Sequence, residues 1–354
     1  MSASVSSSLP HAPSARPLLE RSRALVEPEY RGAVDLLPSP VRRVIGYHAG
    51  WWDIDGRAAD GGGKAVRPAL VLAAASALGT QVPEAAVTAA GVAVQMVHDF
   101  SLLHDDVMDR DTTRRHRPAA WTVFGTGQAI VAGDLLLATA LGCLPGAGAD
   151  AAPAPFARDA RTVLSDAVVR LCAGQSLDLR FERRTRVSLD ECLKMSDGKT
   201  AALLEASCRL GALAGGAGPR TASALAVFGR HLGIAFQLVD DLLGIWGDPA
   251  VTGKPAGSDL TSRKKSLPVV AALHSKNNAA AELADLIGLS AELSEGEVAR
   301  AAELVEHAGG RAWAEQEARR RLAGAFTALD HAEIPAERQA ELRALATLVA
   351  SRDR

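Results

Sequence analysis

Two acidic clusters set in apolar surroundings, about 130 residues apart, are where this chain could do chemistry. The first reads His104-Asp105-Asp106-Val107-Met108-Asp109 and is followed by Arg114 and Arg115; the second reads Gln237-Leu238-Val239-Asp240-Asp241. Carboxylates avoid apolar helix faces unless cations meet them there. On a helix turning ~100° per residue, Asp105 and Asp109 lie ~40° apart, His98 falls within ~20° of the Asp105 line, and Asp106 sits ~100° away on the flank. Acids crowded this closely repel strongly at intermediate dielectric unless cations neutralise them. Two such clusters facing each other make a cage of hard oxygen ligands. That cage suits Mg²⁺ carrying a polyphosphate, because Mg²⁺ prefers a few carboxylates, waters and phosphate oxygens.

Basic residues complete the pattern. Arg114 and Arg115 offer guanidinium forks that match phosphate oxygens. Lys64 and Arg67 lie in GGGKAVRP, where glycines allow close backbone approach ahead of a helix N-terminus. Gln237 stands three residues before Asp240 and four before Asp241, on the same helical face. Lys254 and Lys264 flank a Gly/Pro-rich loop, and Lys199-Thr200 interrupts another apolar segment. Taken singly, each has a plainer reading: an ion pair, a solvated loop or helix end, a snorkelling lysine. Together, acids imply metals, two basic groups imply two phosphorylated substrates, and the apolar helical surroundings imply a greasy tail.

The elements that must position these residues are helical. The chain has 354 residues, 48% hydrophobic and only 4% aromatic, a net charge of −2 and no basic excess to suit nucleic acid or an anionic membrane. Ala and Leu favour helix, and no alternating strand pattern stands out. Helices are predicted over 67–78, 84–109, 117–143 (broken at Gly125 and Gly127), 156–183, 188–214, 219–246, 264–275, 279–288, 294–308, 310–330 and 335–351, with helical signals beginning near Pro17–Arg31. Loops fall at 145–155 and 247–263. Residues 1–18, rich in Ser, Ala and Pro, read as a disordered tail ahead of one domain spanning 19–354. A transit peptide has a similar composition, but the start lacks the features of a secretory signal. No run approaches the ~20 apolar residues of a membrane span. Cys143, Cys172, Cys192 and Cys208 share no CxxC spacing and read as buried free thiols of a reducing compartment. The expectation is all-α: a single large domain of about 10–13 helices, in a cytoplasmic protein.

On GGGKAVRP (61–68), HDFSLLHDDVMDRDTTRRHRPAAW (98–121), GQSLDL (174–179), DGKTAALL (197–204), FQLVDDLLGIWGD (236–248) and GKPAGSDLTSRKKSLP (253–268), the chain resembles the trans-polyprenyl (isoprenyl) diphosphate synthases. The resemblance covers about 60–330 and implies a helical-bundle enzyme with a deep central cavity. It implies that Asp105, Asp106 and Asp109, with Asp240 and Asp241, bind three Mg²⁺ ions bridging to an allylic diphosphate. It assigns Arg114, Lys199, Lys254 and Lys264 to that diphosphate, and Lys64, Arg67, His98 and Arg115 to isopentenyl diphosphate. Thr200 and Gln237 would lie beside the developing carbocation, and Asp178 would support a metal-bound water. The family commonly has a third aspartate where this chain has Gly244; Asp248 lies ~10 Å further along a continued helix and cannot replace it. A homodimer is also implied.

Two other readings share parts of this pattern. A class I terpene cyclase would carry an Asn/Ser/Glu metal motif and no second-substrate site. A non-catalytic regulatory subunit of such a synthase would have Gly244 as its only support. In the family the residues one turn before the first aspartate floor the cavity. Here these are Phe100 and Ser101, one aromatic beside one small residue, which favours a C20 (geranylgeranyl) product, with C15 (farnesyl) next.

Overall fold

The computed structural model describes residues 15–59, 61–79, 84–145, 153–249, 256–288 and 293–350. Its helices are α1 (Arg16–Asp35), α2 (Ser39–Ala49), α3 (Val66–Ser76), α4 (Glu84–Met108), α5 (Ala120–Phe124), α6 (Thr126–Gly142), α7 (Ala154–Glu182), α8 (Leu189–Ser196), α9 (Ala202–Ala214), α10 (Pro219–Trp246), α11 (Ser258–Thr261), α12 (Leu267–Leu273), α13 (Asn278–Gly288), α14 (Glu295–His307), α15 (Gly310–Asp330) and α16 (Ala340–Ala350). The fold is all-α, as expected. The helices outnumber the ten to thirteen expected because short pieces stand alone. Gly125, at φ 87°, separates α5 from α6, whereas Gly127 lies within α6 and does not break it. Helix α2 was not predicted. Ser188 and Ser294 start α8 and α14 with full capping boxes to Glu191 and Glu297, which satisfy backbone donors that would otherwise be orphaned.

α4 and α10 are the central helices. α4 packs on α3, α6 and α9, and α10 on α9 and α15. A helix surrounded in this way must be apolar on most sides. Both are therefore long and apolar enough to cross a membrane by length and composition, which corrects the expectation that no run is. Of their most apolar stretches 72% and 61% are buried inside the protein, as in core helices.

Residues 15–18, placed in the tail from sequence, instead lead into and begin α1, with Leu18 only 3% exposed. The remainder of that tail, 1–14, lies outside the described residues. The cysteines also divide: Cys192 and Cys208 are buried free thiols, Cys143 is half-buried and Cys172 is exposed.

Two local features serve the interior. Asp197–Ala201 forms a π-helical turn between α8 and α9 and carries Lys199 and Thr200. Such turns widen a helix and re-aim its side chains. α7 crosses this turn backbone against backbone, since a Cβ on Gly174 would stand 2.2 Å from the Lys199 nitrogen. The second feature is a small hairpin, Thr113–Arg114 paired with Arg117–Pro118. Its two-residue loop holds Arg115 at φ 53° and His116 at φ 60°. This is the left-handed geometry that tight hairpins demand and that glycine or asparagine adopts more readily.

Gly174→Ala is expected to destabilise the protein by about 1–3 kcal/mol through this backbone clash. A lowered melting temperature in thermal denaturation checks it; an unchanged one would show that α7 can move away freely.

Candidate active site

A cavity of ≈1100 Å³ opens between α4, α10, the π turn, the hairpin and the Gly61–Gly63 loop. Asp105, Asp109 and Asp240 line it, together with Lys64, Arg67, His98, Arg114, Arg115, Lys199, Thr200, Gln237 and Lys264. Phe100, Ser101, Leu171, Leu204 and Phe236 supply apolar and small wall. Lys254 lies outside the described residues. Asp106 and Asp241 are not on the wall but buried behind it, 1% and 3% exposed.

Lys199 binds the first cluster. Its Nζ donates to Asp105 Oδ1 at 2.9 Å and to Asp178 Oδ2 at 2.7 Å. Burial resists ionisation of Asp105, but the Lys199 ammonium, with Lys264 and Arg114, holds its carboxyl below the usual range. Asp109, at the rim, is pushed up to about 6 by desolvation and by the Asp105 charge. Asp106 accepts from Arg114 Nε at 2.8 Å and also from Arg114 Nη2. Its Oδ2 has no hydrogen-bond partner.

In the second cluster a chain of hydrogen bonds fixes the side chains. Thr200 Oγ1 donates to Gln237 Oε1, Gln237 Nε2 donates to Asp241 Oδ1 at 2.8 Å, and the Leu267 backbone N–H donates to Asp241 Oδ2 at 2.8 Å. Asp241 is pushed up to about 7, by burial first and then by the Asp259 charge, against the pull of Lys264. The Lys264 ammonium is held protonated by Asp259, Asp241, Asp178 and Asp240 in spite of its burial.

Asp259 was missed in the sequence. Its carboxylate carbon lies 2.5 Å from where a Gly244 Cβ would stand, so it occupies the space of the absent third aspartate. α10 ends at Trp246, which leaves Asp248 beyond the helix.

At the other end of the cavity Arg67 Nη1 meets His98 Nε2 at 3.2 Å. Burial and the Arg67 charge keep His98 well below its usual pKa, so it is neutral at pH 7 and can accept from the guanidinium. Gly63 lacks a side chain where the Arg115 guanidinium passes, 3.0 Å from the position of a Cβ.

Acids interleaved with cations, a further cationic group of Lys64, Arg67 and Arg115, and apolar wall residues all share one cavity, and together they form a site for diphosphate-bearing hydrocarbons. Residues 57–305 match the polyprenyl synthetase family. The chain belongs to that family. It is 46% identical over 345 residues to a (2E,6E)-farnesyl diphosphate synthase of Mycobacterium bovis, covering 95% of this chain and 93% of that one. It is 46% identical over 337 residues to a geranylgeranyl diphosphate synthase of Mycobacterium tuberculosis, with the same coverage. A solved polyprenyl synthetase from Streptomyces coelicolor superposes with a TM-score of 0.88 at 47% identity, covering 95% of this chain and 99% of its own. A geranylgeranyl pyrophosphate synthase from Corynebacterium glutamicum, solved with isoprenyl diphosphate and magnesium, superposes with a TM-score of 0.82 at 27% identity, covering 96% of this chain and all (100%) of its own. Like these family members, the chain is a prenyltransferase, a short-chain trans-prenyl diphosphate synthase of the farnesyl or geranylgeranyl type.

Among the described residues no three acid, histidine or cysteine side chains converge to hold a metal by themselves. The donor set nevertheless fits Mg²⁺. Burial and the charges of Asp105 and Asp259 make Asp109 and Asp241 resist ionisation in spite of nearby lysines, and a divalent cation would favour their ionised forms. One or two carboxylates completed by phosphate oxygens and water is the coordination this ion favours.

The raised Asp241 predicts a pH dependence. Its folded-state pKa of about 7 lies above the ordinary carboxylate value. The folded protein therefore binds an extra proton between about pH 4 and pH 7, and stability must fall as pH rises through that window. Asp105, shifted downward, titrates below it. Urea unfolding in EDTA should give a free energy that declines from pH 5 to pH 8, with a shallower decline for Asp241→Asn. Equal slopes for the two proteins would contradict the assignment.

Proposed function

We propose that the chain condenses isopentenyl diphosphate with an allylic diphosphate and releases diphosphate, with Mg²⁺ as cofactor, three ions per site, and with C20 favoured over C15. The observation that carries this is the convergence on one cavity of both acidic clusters, the cations that pair with them and a further cationic group of Lys64, Arg67 and Arg115. The farnesyl and geranylgeranyl enzymes among its relatives are equally similar, so product length rests on the cavity wall.

Bound Mg²⁺ would supply electrophilic help to the departing diphosphate, held by Asp105, Asp109 and Asp240 in the front rank with Asp106 and Asp241 behind. Arg114, Lys199 and Lys264, with Lys254, neutralise the allylic diphosphate as its C–O bond breaks. Lys64, Arg67, His98 and Arg115 hold the isopentenyl diphosphate so that its double bond faces the allylic carbon. That double bond forms the new C–C bond, and the proton lost from the adjacent carbon passes to a diphosphate oxygen. Thr200 and Gln237 present oxygen dipoles toward the cationic centre, while the apolar wall excludes water. The proposal also takes the chain to work as a homodimer in the cytoplasm.

Purified protein with labelled isopentenyl diphosphate, an allylic primer and Mg²⁺ tests this reading. Labelled prenyl diphosphate should form, EDTA should abolish it, and Asp105→Ala or Asp240→Ala should lower the rate by several orders of magnitude. Near-normal turnover in EDTA would sink the metal assignment.

Phe100 tests the product. Its ring lies on the cavity wall, 6% exposed, and meets His104 edge-on at 4.9 Å. Phe100→Ala should open the floor and shift products toward C25 and longer, while Ser101→Phe should shift them toward C15. Chromatography of the products decides it. A folded Phe100→Ala enzyme with an unchanged distribution would show that another residue sets the floor.

A further inference from the structure

Asp99 follows His98 in α4 and is 2% exposed, among core residues such as Met96, Val97 and Leu103. Its Oδ2 accepts from the Tyr30 hydroxyl at 3.1 Å and from Gln95 Nε2 at 3.0 Å. Its Oδ1 has no hydrogen-bond partner, and neither has His48 Nε2. These two atoms stand 3.7 Å apart, and Arg115 Nη2 stands 3.7 Å from the same oxygen. One buried carboxylate thus gathers side chains from α1, α2, α4 and the hairpin loop. Burial favours the neutral acid, but the neighbouring His48 imidazole and Arg115 guanidinium hold Asp99 well below the usual carboxylate range. Burial and the Asp99 charge together keep Tyr30 protonated, as a donor.

His48, Gln95 and Arg115 line the cavity beside the Gly61–Gly63 loop and Arg67, whereas Asp99 does not. Packing alone explains none of this, because a buried charge is costly unless paired. The arrangement makes sense if the carboxylate sets where its neighbours stand. Arg115 rises from a loop residue at φ 53° that would relax toward other conformations without an anchor. Lys64, Arg67 and Arg115 also crowd like charges at one end of the cavity, and Asp99 offsets part of that repulsion from behind.

We propose that Asp99 is a positioning residue for the homoallylic substrate, holding Arg115 and His48 at the wall where the isopentenyl diphosphate binds. This rests on the condensation reading above, and it adds two residues, Asp99 and His48, to that subsite. Asp99 acts through its neighbours and does not touch the substrate. The charge on Oδ1 matters, while the bonds to Oδ2 are scaffolding.

Asp99→Asn tests this, since an amide keeps an oxygen for Tyr30 and Gln95 but presents no charge to Arg115 and His48. The KM for isopentenyl diphosphate should rise about tenfold, with the KM for the allylic diphosphate and the melting temperature nearly unchanged. Binding of isopentenyl thiolodiphosphate, an unreactive analogue, should weaken in parallel by calorimetry. In a background carrying both Arg115→Gln and His48→Gln the same change should add less than about twofold, because Asp99 acts only through those two side chains. Equal rises in both KM values, no rise, or full additivity in that background would overturn the proposal. Should Asp99→Asn fail to fold, His48→Gln carries the test, and an unchanged KM for isopentenyl diphosphate in that variant overturns it. If the wild-type chain does not bind the thiolodiphosphate, the condensation reading itself fails. Wild-type binding with an unaffected Asp99→Asn variant removes only the role of Asp99.

Discussion

Acids at the carboxyl ends of two apolar helices are the constraint around which this molecule is arranged. Asp105 and Asp106 lie in the last turn of α4, and Asp240 and Asp241 lie within the last two turns of α10. The negative end of the α4 dipole disfavours Asp105 and Asp106 there. Desolvation and mutual repulsion add to the cost, as the upward shifts of Asp109 and Asp241 register. Such an arrangement persists only with cations close by. Lys199, bridging Asp105 and Asp178, is the central one, and removing one partner of a buried pair costs about 3–5 kcal/mol.

Much of the irregular backbone follows from supplying those cations. The π turn carries Lys199 and Thr200 into the cavity, and the glycine contact with α7 lets that turn sit close behind the acids. The strained hairpin sends Arg114 back to Asp106 and Arg115 toward the Gly61–Gly63 loop. Below these charges the wall turns apolar, through Phe100, Leu171, Leu204 and Phe236. A site of this kind favours substrates with a diphosphate at one end and a hydrocarbon at the other.

Most helices could be read from the sequence because Ala- and Leu-rich periodicity and Pro/Gly punctuation are local signals. The span 219–246 agrees with α10 to the residue. α2 escaped because its proline start and polar Arg42-Arg43 pair hid a short buried face. The acids and cations of the site were legible because their types and spacing already state the chemistry. Their partnerships were not. That Asp106 turns to Arg114 and Asp241 to Leu267 depends on chain crossings 8 and 26 residues apart. Asp259 stood in plain view in the GSDL segment, but its place beside Gly244 exists only in three dimensions. Asp99 left one usable sign, an acid within the apolar run 92–103. The long apolar character of α4 and α10 was underestimated because scattered polar residues mask it in a residue-by-residue reading.

The central claim is that carboxylates and diphosphate hold Mg²⁺ jointly, neither sufficing alone. Calorimetric titration of Mg²⁺ into the protein, with and without inorganic diphosphate, tests it most directly once Mg²⁺ binding to free diphosphate is subtracted. The account predicts weak uptake by the protein alone and uptake at least about tenfold tighter with diphosphate present. Equal affinity under both conditions would contradict it, for the acidic clusters would then be a metal cage complete in themselves.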